Sequence, residues 1–209
     1  MYLHSLITLP ILYCLGGIRN HALYKSKKER KKGLMAIKLD MSKAYDQVEW
    51  AYLEAIMHRL GFQERWISLM MMCVNTVSYS VLMDGVPRGR IFPTRGLRQG
   101  DPISPYLFLL CAEGLLAMLR LDKKGGIPRG ISVCRQAPMV SHLLFVDDCI
   151  VFWNASKEEG ARITKILENY ERKSGQKLNR EKTSLFFNKN MSEEVKDEVR
   201  DMFRAQIIH

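Results

Sequence analysis

The chain has 209 residues, enough for one sizeable core or two small ones, with ordinary globular proportions of 47% apolar and 26% charged residues. Its formal charge of +10 and pI near 9.4 favour polyanionic partners, nucleic acid or an anionic membrane surface, and specify no chemistry. Five cysteines without a CxxC pair argue against a disulfide framework or a zinc site and fit a reducing compartment.

Met1 to Gly17 is apolar but lacks a basic leading region, contains Pro10 and is too short to span a bilayer. It reads as a buried or truncated piece of a larger fold, not as a secretion signal. Lys25-Ser26-Lys27-Lys28-Glu29-Arg30-Lys31-Lys32 is the densest run of charge. A solvated loop is its simplest reading, with a nuclear address or a phosphate-contacting patch as alternatives. Leu34 to Met41 predicts a buried strand reaching Asp40. Val48 to Leu60 has helical apolar spacing, with Gly61 placed to end it and Asp46 and Glu49 resembling a capping box. A second helix is expected from Glu64 to Val77. Ser78 to Met83 and Arg90 to Thr94 then suggest a hairpin around Asp84-Gly85-Val86-Pro87.

Gly96 to Pro102 reads as a loop, and Ser104-Pro105 as the N-cap and first-turn proline of a long apolar helix to Arg120. Gly125 to Gly130 is a turn. Val140 to Trp153 predicts two strands meeting at Asp147-Asp148. Lys157 to Lys173 is a helix ended by Ser174-Gly175, and Thr183 to Phe187 a short strand. From Ser192 an amphipathic helix follows, with no evident packing partner. Helices mixed with antiparallel strands indicate α+β architecture.

Adjacent carboxylates near a core repel and lose hydration, so a cation should compensate them, and a divalent metal is the natural candidate. A solvated Asp-Asp turn accounts for the same two residues. Asp40 adds a possible third ligand about a hundred residues away, which only the fold can bring near. In Gly96-Leu97-Arg98-Gln99-Gly100-Asp101-Pro102, the glycines permit close backbone approach. Arg98 and Gln99 offer donors to phosphate or a base edge, although a simple loop leading into a helix has the same composition.

Taken in order, Ala36 to Asp46 continuing through Trp50, Gly96 to Pro105, Phe145-Val146-Asp147-Asp148 and Ser174 to Thr183 resemble the reverse-transcriptase palm of plant LINE-type (non-LTR) retrotransposons. The resemblance covers Gly33 to about Asn190. It implies a right-hand polymerase palm, an antiparallel sheet backed by helices, with fingers and thumb largely missing. Residues 1–33 would be a divergent N-terminal segment, 34–190 the palm, and 191–209 the start of a truncated thumb or connection.

The same resemblance implies that Asp40, Asp147 and Asp148 form the acidic cluster for two Mg2+ ions, with Mn2+ as substitute. One ion would activate a primer 3′-hydroxyl and the other hold the incoming triphosphate. RNA template, DNA primer and deoxynucleoside triphosphates are the implied partners, with no membrane. Tyr45 would lie beneath the sugar and disfavour a ribose 2′-hydroxyl. Gln99 and Gly100 would line the nucleotide pocket beside Arg98, and Lys182 would approach the leaving phosphate. Val146 departs from the alanine usual in the family and removes no ligand. The fingers segment that grips the triphosphate has no counterpart in Met1 to Asn20, so extension by this chain alone is expected to be feeble. An intracellular setting, nucleus or cytoplasm, follows. The competing reading is a non-catalytic, basic nucleic-acid-binding remnant of a degenerate retroelement.

Overall fold

In the computed structural model the described residues are 34–121, 140–145, 148–154, 156–187 and 191–207. The apolar start, the basic run, the turn at 125–130 and Val146-Asp147 lie outside them. The chain divides into two compact units. The described parts of the first are 34–40, 140–145, 148–154, 156–164, 180–187 and 191–207, and those of the second are 41–121 and 165–179.

The first unit is a sheet in the order β4 (His142–Phe145), β5 (Asp148–Asn154), β1 (Leu34–Ser42, through Asp40), β7 (Ser184–Phe187) and β8 (Gln206–Ile207). All pairings are antiparallel except β7 with β8. The mixed helix and antiparallel sheet is the predicted α+β, palm-like class. Met35, Ala36, Ile37 and Leu39 are buried while Lys38 and Asp40 stay partly accessible, so β1 is covered on both faces at its start and alternates towards Asp40. β5 is buried from Cys149 through Trp153. Each large apolar side chain in such a core contributes about 1.5–3 kcal/mol, so the unit resists slippage between β1 and β5.

The helix after Ser192, α5 (Glu193–Phe203), does have a packing partner. Val199 and Phe203 are buried, and the Phe203 ring lies 6.2 Å from that of Trp153. A Cβ at Gly160, in the first turn of α4 (Lys157–Ser174), would sit 3.3–3.9 Å from Met202, Val199 and Phe203. The two helices therefore pack closely at Gly160, and hydropathy patterning gives no sign of it.

The second unit holds α1 (Trp50–Arg59), α2 (Glu64–Asn75), the β2–β3 ribbon (Tyr79–Met83, Val86–Ile91), α3 (Ser104–Leu121), the rest of α4 and β6 (Lys177–Leu178). β6 pairs with the last two residues of β1. α1 ends as expected at Gly61, whose φ of +82° lets its N–H reach the His58 carbonyl and the Phe62 N–H reach Met57. α3 buries Leu107, Phe108, Cys111, Ala112, Leu115, Leu116 and Leu119, a helical i, i+4 face that accounts for its apolarity.

Three local expectations change. Glu49, not Asp46, occupies the N-cap of α1 and makes no side-chain cap bond, while the Asp46 N–H closes a turn onto Lys43. Ser104 is already helical, and the Ile103 carbonyl accepts the first α3 amides. The second ribbon strand starts at Val86, because Asp84 (φ +52°) and Gly85 (φ +77°) reverse the chain in two residues. Gly89 (φ +68°) lies where the register shifts, consistent with a bulge that absorbs one extra residue.

Candidate active site

β1 and β5 pair from Leu34↔Asn154 to Asp40↔Asp148, so Asp40 stands directly opposite Asp148 at the end of the ladder. Directly opposed residues of an antiparallel pair have Cα atoms about 4.5–5.5 Å apart. Two acidic positions more than a hundred residues apart in sequence are thus neighbours in backbone. Asp147 and the Asp148 side chain lie outside the description. Among the described residues no group of three or more His, Cys, Asp or Glu is placed to hold a metal ion.

In the second unit the chain leaves β1 through a tight turn. Lys43 takes a left-handed conformation (φ +47°), uncommon for a non-glycine, and the Asp46 N–H donates to its carbonyl at 3.0 Å. The Tyr45 ring stacks on Phe108 of α3, centroids 5.0 Å apart and planes 18° from parallel. The Gly96 loop then docks on this turn. Gly96 N–H donates to Val48 O and Leu97 N–H to Tyr45 O, both at 2.8 Å, and the Trp50 indole N–H donates to Gly96 O at 2.8 Å. Gly96 is required there: its φ is +90°, and a Cβ would come within 2.9 Å of the Asp46 carbonyl oxygen.

Beyond it, Arg98, Gln99 and Gly100 are exposed. The Arg98 guanidinium is engaged by Asp101 at 2.7 Å. The Ile103 amide donating to the Asp101 carboxylate, with Arg98 adding to it, holds that group below the usual carboxylate range. Asp46, Arg95, Arg98 and Asp101 are the charged lining of a cleft of about 220 Å³, with Val74 and Tyr79 among its other walls.

The fourth sequence segment closes around the same turn, a role its reading as a helix end did not anticipate. Gln176 is fully buried, its Nε2 donating to Ala44 O at 3.1 Å and its Oε1 accepting the Tyr170 hydroxyl. Ser174 O accepts the Glu49 N–H at 2.9 Å, and Ser174 Oγ bonds both Tyr170 O and the Gln176 N–H. A Cβ at Gly175 (φ +76°) would lie 2.5 Å from Gln47 O. Three of the four motif segments therefore meet through backbone and amide hydrogen bonds within one unit. Lys182 is exposed in the turn before β7, in the first unit.

The reverse transcriptase (RNA-dependent DNA polymerase) family profile matches residues 6–200, and the chain belongs to that family. Its curated relatives include Pol polyproteins of type-1 and type-2 R2 retrotransposable elements. It is 32% identical over 141 residues to the Pol polyprotein of type-1 retrotransposable element R2 from Nasonia vitripennis, covering 66% of this chain and 13% of that protein. It is also 49% identical over 67 residues to an uncharacterized mitochondrial protein of Arabidopsis thaliana, covering 32% of this chain and 55% of that one. The chain thus spans about half of one relative and a small part of the other. Among solved structures, apo telomerase from Candida tropicalis shares the fold with a TM-score of 0.61 at 18% identity, over 88% of this chain and 36% of that one. Divalent metal ions are generally used in this family.

Proposed function

We propose that the chain is the palm of an RNA-directed DNA polymerase that extends a DNA primer on an RNA template. The observation that carries this reading is the register of β1 with β5, which sets Asp40 opposite Asp148. Asp40, Asp147 and Asp148 fit a divalent site by donor chemistry, as three hard carboxylate ligands drawn from two chain segments. They would hold Mg2+, or Mn2+ in its place. Bound there, magnesium supplies a polarised primer hydroxyl and charge neutralisation on the triphosphate.

The chain's own residues bind and orient. The Tyr45 face, backed by Phe108, is the surface against which a deoxyribose rests and a 2′-hydroxyl would clash. Gln99 and Gly100 contribute an exposed amide and an exposed stretch of backbone beside the nucleotide. Arg98 offers a guanidinium to phosphate, and Asp101 fixes its direction. Lys182 neutralises the departing phosphate. Rate enhancement in such a site comes from positioning and electrostatics, without a covalent protein intermediate.

The test is primer extension on an RNA template with magnesium, comparing the chain with Asp147→Asn and Asp40→Asn. Weak incorporation is expected from the parent, and a drop on the order of 10²–10³ in each variant. Equal incorporation by parent and Asp147→Asn would remove the assignment. Steeply salt-dependent RNA binding without any turnover would favour the non-catalytic reading instead.

A further inference from the structure

The turn carrying Tyr45 is held from both sides. On one, its carbonyl accepts the Leu97 N–H. On the other, the preceding carbonyl, Ala44 O, accepts Nε2 of Gln176, a side chain with no solvent exposure. An uncharged amide that deeply buried is stable only if its donor and acceptor are matched, and here both are: Ala44 O takes the donor, Tyr170 supplies the hydroxyl. The left-handed backbone of Lys43, one residue before Ala44, needs surrounding structure to maintain it. The 174–178 segment supplies that structure through Ser174 O on Glu49 N–H and through pairing of Leu178 with Met41.

We infer that Gln176, aimed by the Tyr170 hydroxyl, is a positioning residue for the Tyr45 turn, and through it a determinant of the choice between deoxyribo- and ribonucleotides. The sugar-selection part rests on the polymerase reading above. The positioning part stands on the hydrogen bonds alone. Gln176 touches no substrate in this scheme. It sets where the Tyr45 ring can lie.

Thermal stability must be separated from positioning, and the pair Gln176 and Tyr170 permits it. Gln176→Met removes both bonds at nearly constant shape and strands the Tyr170 hydroxyl, so the melting temperature falls. Adding Tyr170→Phe removes the stranded group, so the double variant recovers much of the lost stability. Ala44 O still lacks its donor in that double variant. In the full chain, amide exchange over residues 43–48 is expected to run roughly tenfold faster in both variants, with α5 amides in the double variant as in the parent. Competition between dGTP and GTP in magnesium is expected to show the deoxy preference falling about fivefold, towards the Tyr45→Ala value. Exchange over 43–48 that returns to the parental rate in the double variant would overturn the proposal, since stability alone would then explain the single variant. Unchanged exchange in Gln176→Met would do so equally. A parent that binds neither nucleotide would count against the polymerase reading, while the exchange measurement still decides on Gln176.

Discussion

The Tyr45 turn and the β2–β3 ribbon are both short, glycine-dependent reversals in one unit, and they are built in opposite ways. The turn from Ser42 to Glu49 is clasped by the Gly96 loop and the Ser174–Leu178 segment, and its glycine partners have no room for a methyl group. The ribbon is exposed along both strands, Leu82 at 69%, and a Cβ at Gly85 or Gly89 would meet open space. One conformation is dictated by distant partners, the other by its own Asp-Gly pair and bulge. The contrast separates geometry the proposed chemistry depends on from geometry that only has to reverse the chain.

Substitutions should grade along that contrast. Gly175→Ala combines a left-handed backbone with a 2.5 Å approach to Gln47 O, and should cost about 3 kcal/mol or abolish folding, read by denaturant unfolding. Gly96→Ala, at 2.9 Å from Asp46 O, should cost about 2 kcal/mol in the same assay, with the Trp50 fluorescence altered because its indole bonds Gly96 O. Gly85→Ala meets only the positive φ and should cost about 1 kcal/mol. Leu82→Ser on the exposed ribbon should change stability by less than about 0.5 kcal/mol. A ribbon variant that destabilised as much as Gly175→Ala would erase the distinction.

The thiols offer an independent check. Burial pushes Cys111 on α3 up from 9.0 to about 12, whereas Cys73 on α2 is exposed. Alkylation near pH 8 should therefore label Cys73 and spare Cys111. Because the folded state keeps the Cys111 proton after the unfolded state has lost it, its contribution is complete below pH 9 and fades as pH rises towards about 12. Burial also raises the Tyr52 hydroxyl, which donates to Cys111 O, so alkaline unfolding should have two contributors. Denaturant midpoints at pH 8 and pH 10.5 would show the loss.

Much of this was legible beforehand where periodicity speaks: β1, α2, α3 and α4 fall close to their expected bounds. Three of the four motif segments also mark out the residues that the structure gathers around Tyr45. What could not be read was long-range hydrogen bonding. The N-terminus of α1 has no side-chain cap, and the Glu49 amide is taken by Ser174 O, far along the chain. Ser174-Gly175 was visible as a helix stop, but nothing local reveals that Gln176 reaches Ala44. Val86-Pro87 suggested a turn by composition, yet the two left-handed residues before it had already completed the reversal. Gly160 carries no hydrophobic signal, although it lies against Met202, Val199 and Phe203 of α5.

The ladder between β1 and β5 also constrains which deletions the chain can absorb while keeping Asp40 opposite Asp148. A strand shows alternate residues to alternate sides, so deleting one codon between Leu34 and Leu39 would invert the parity of everything upstream of Asp40 against a β5 that stays put. Losing two would shorten the strand yet keep odd with odd and even with even. Variants of this chain should therefore tolerate paired deletions here far more readily than single ones.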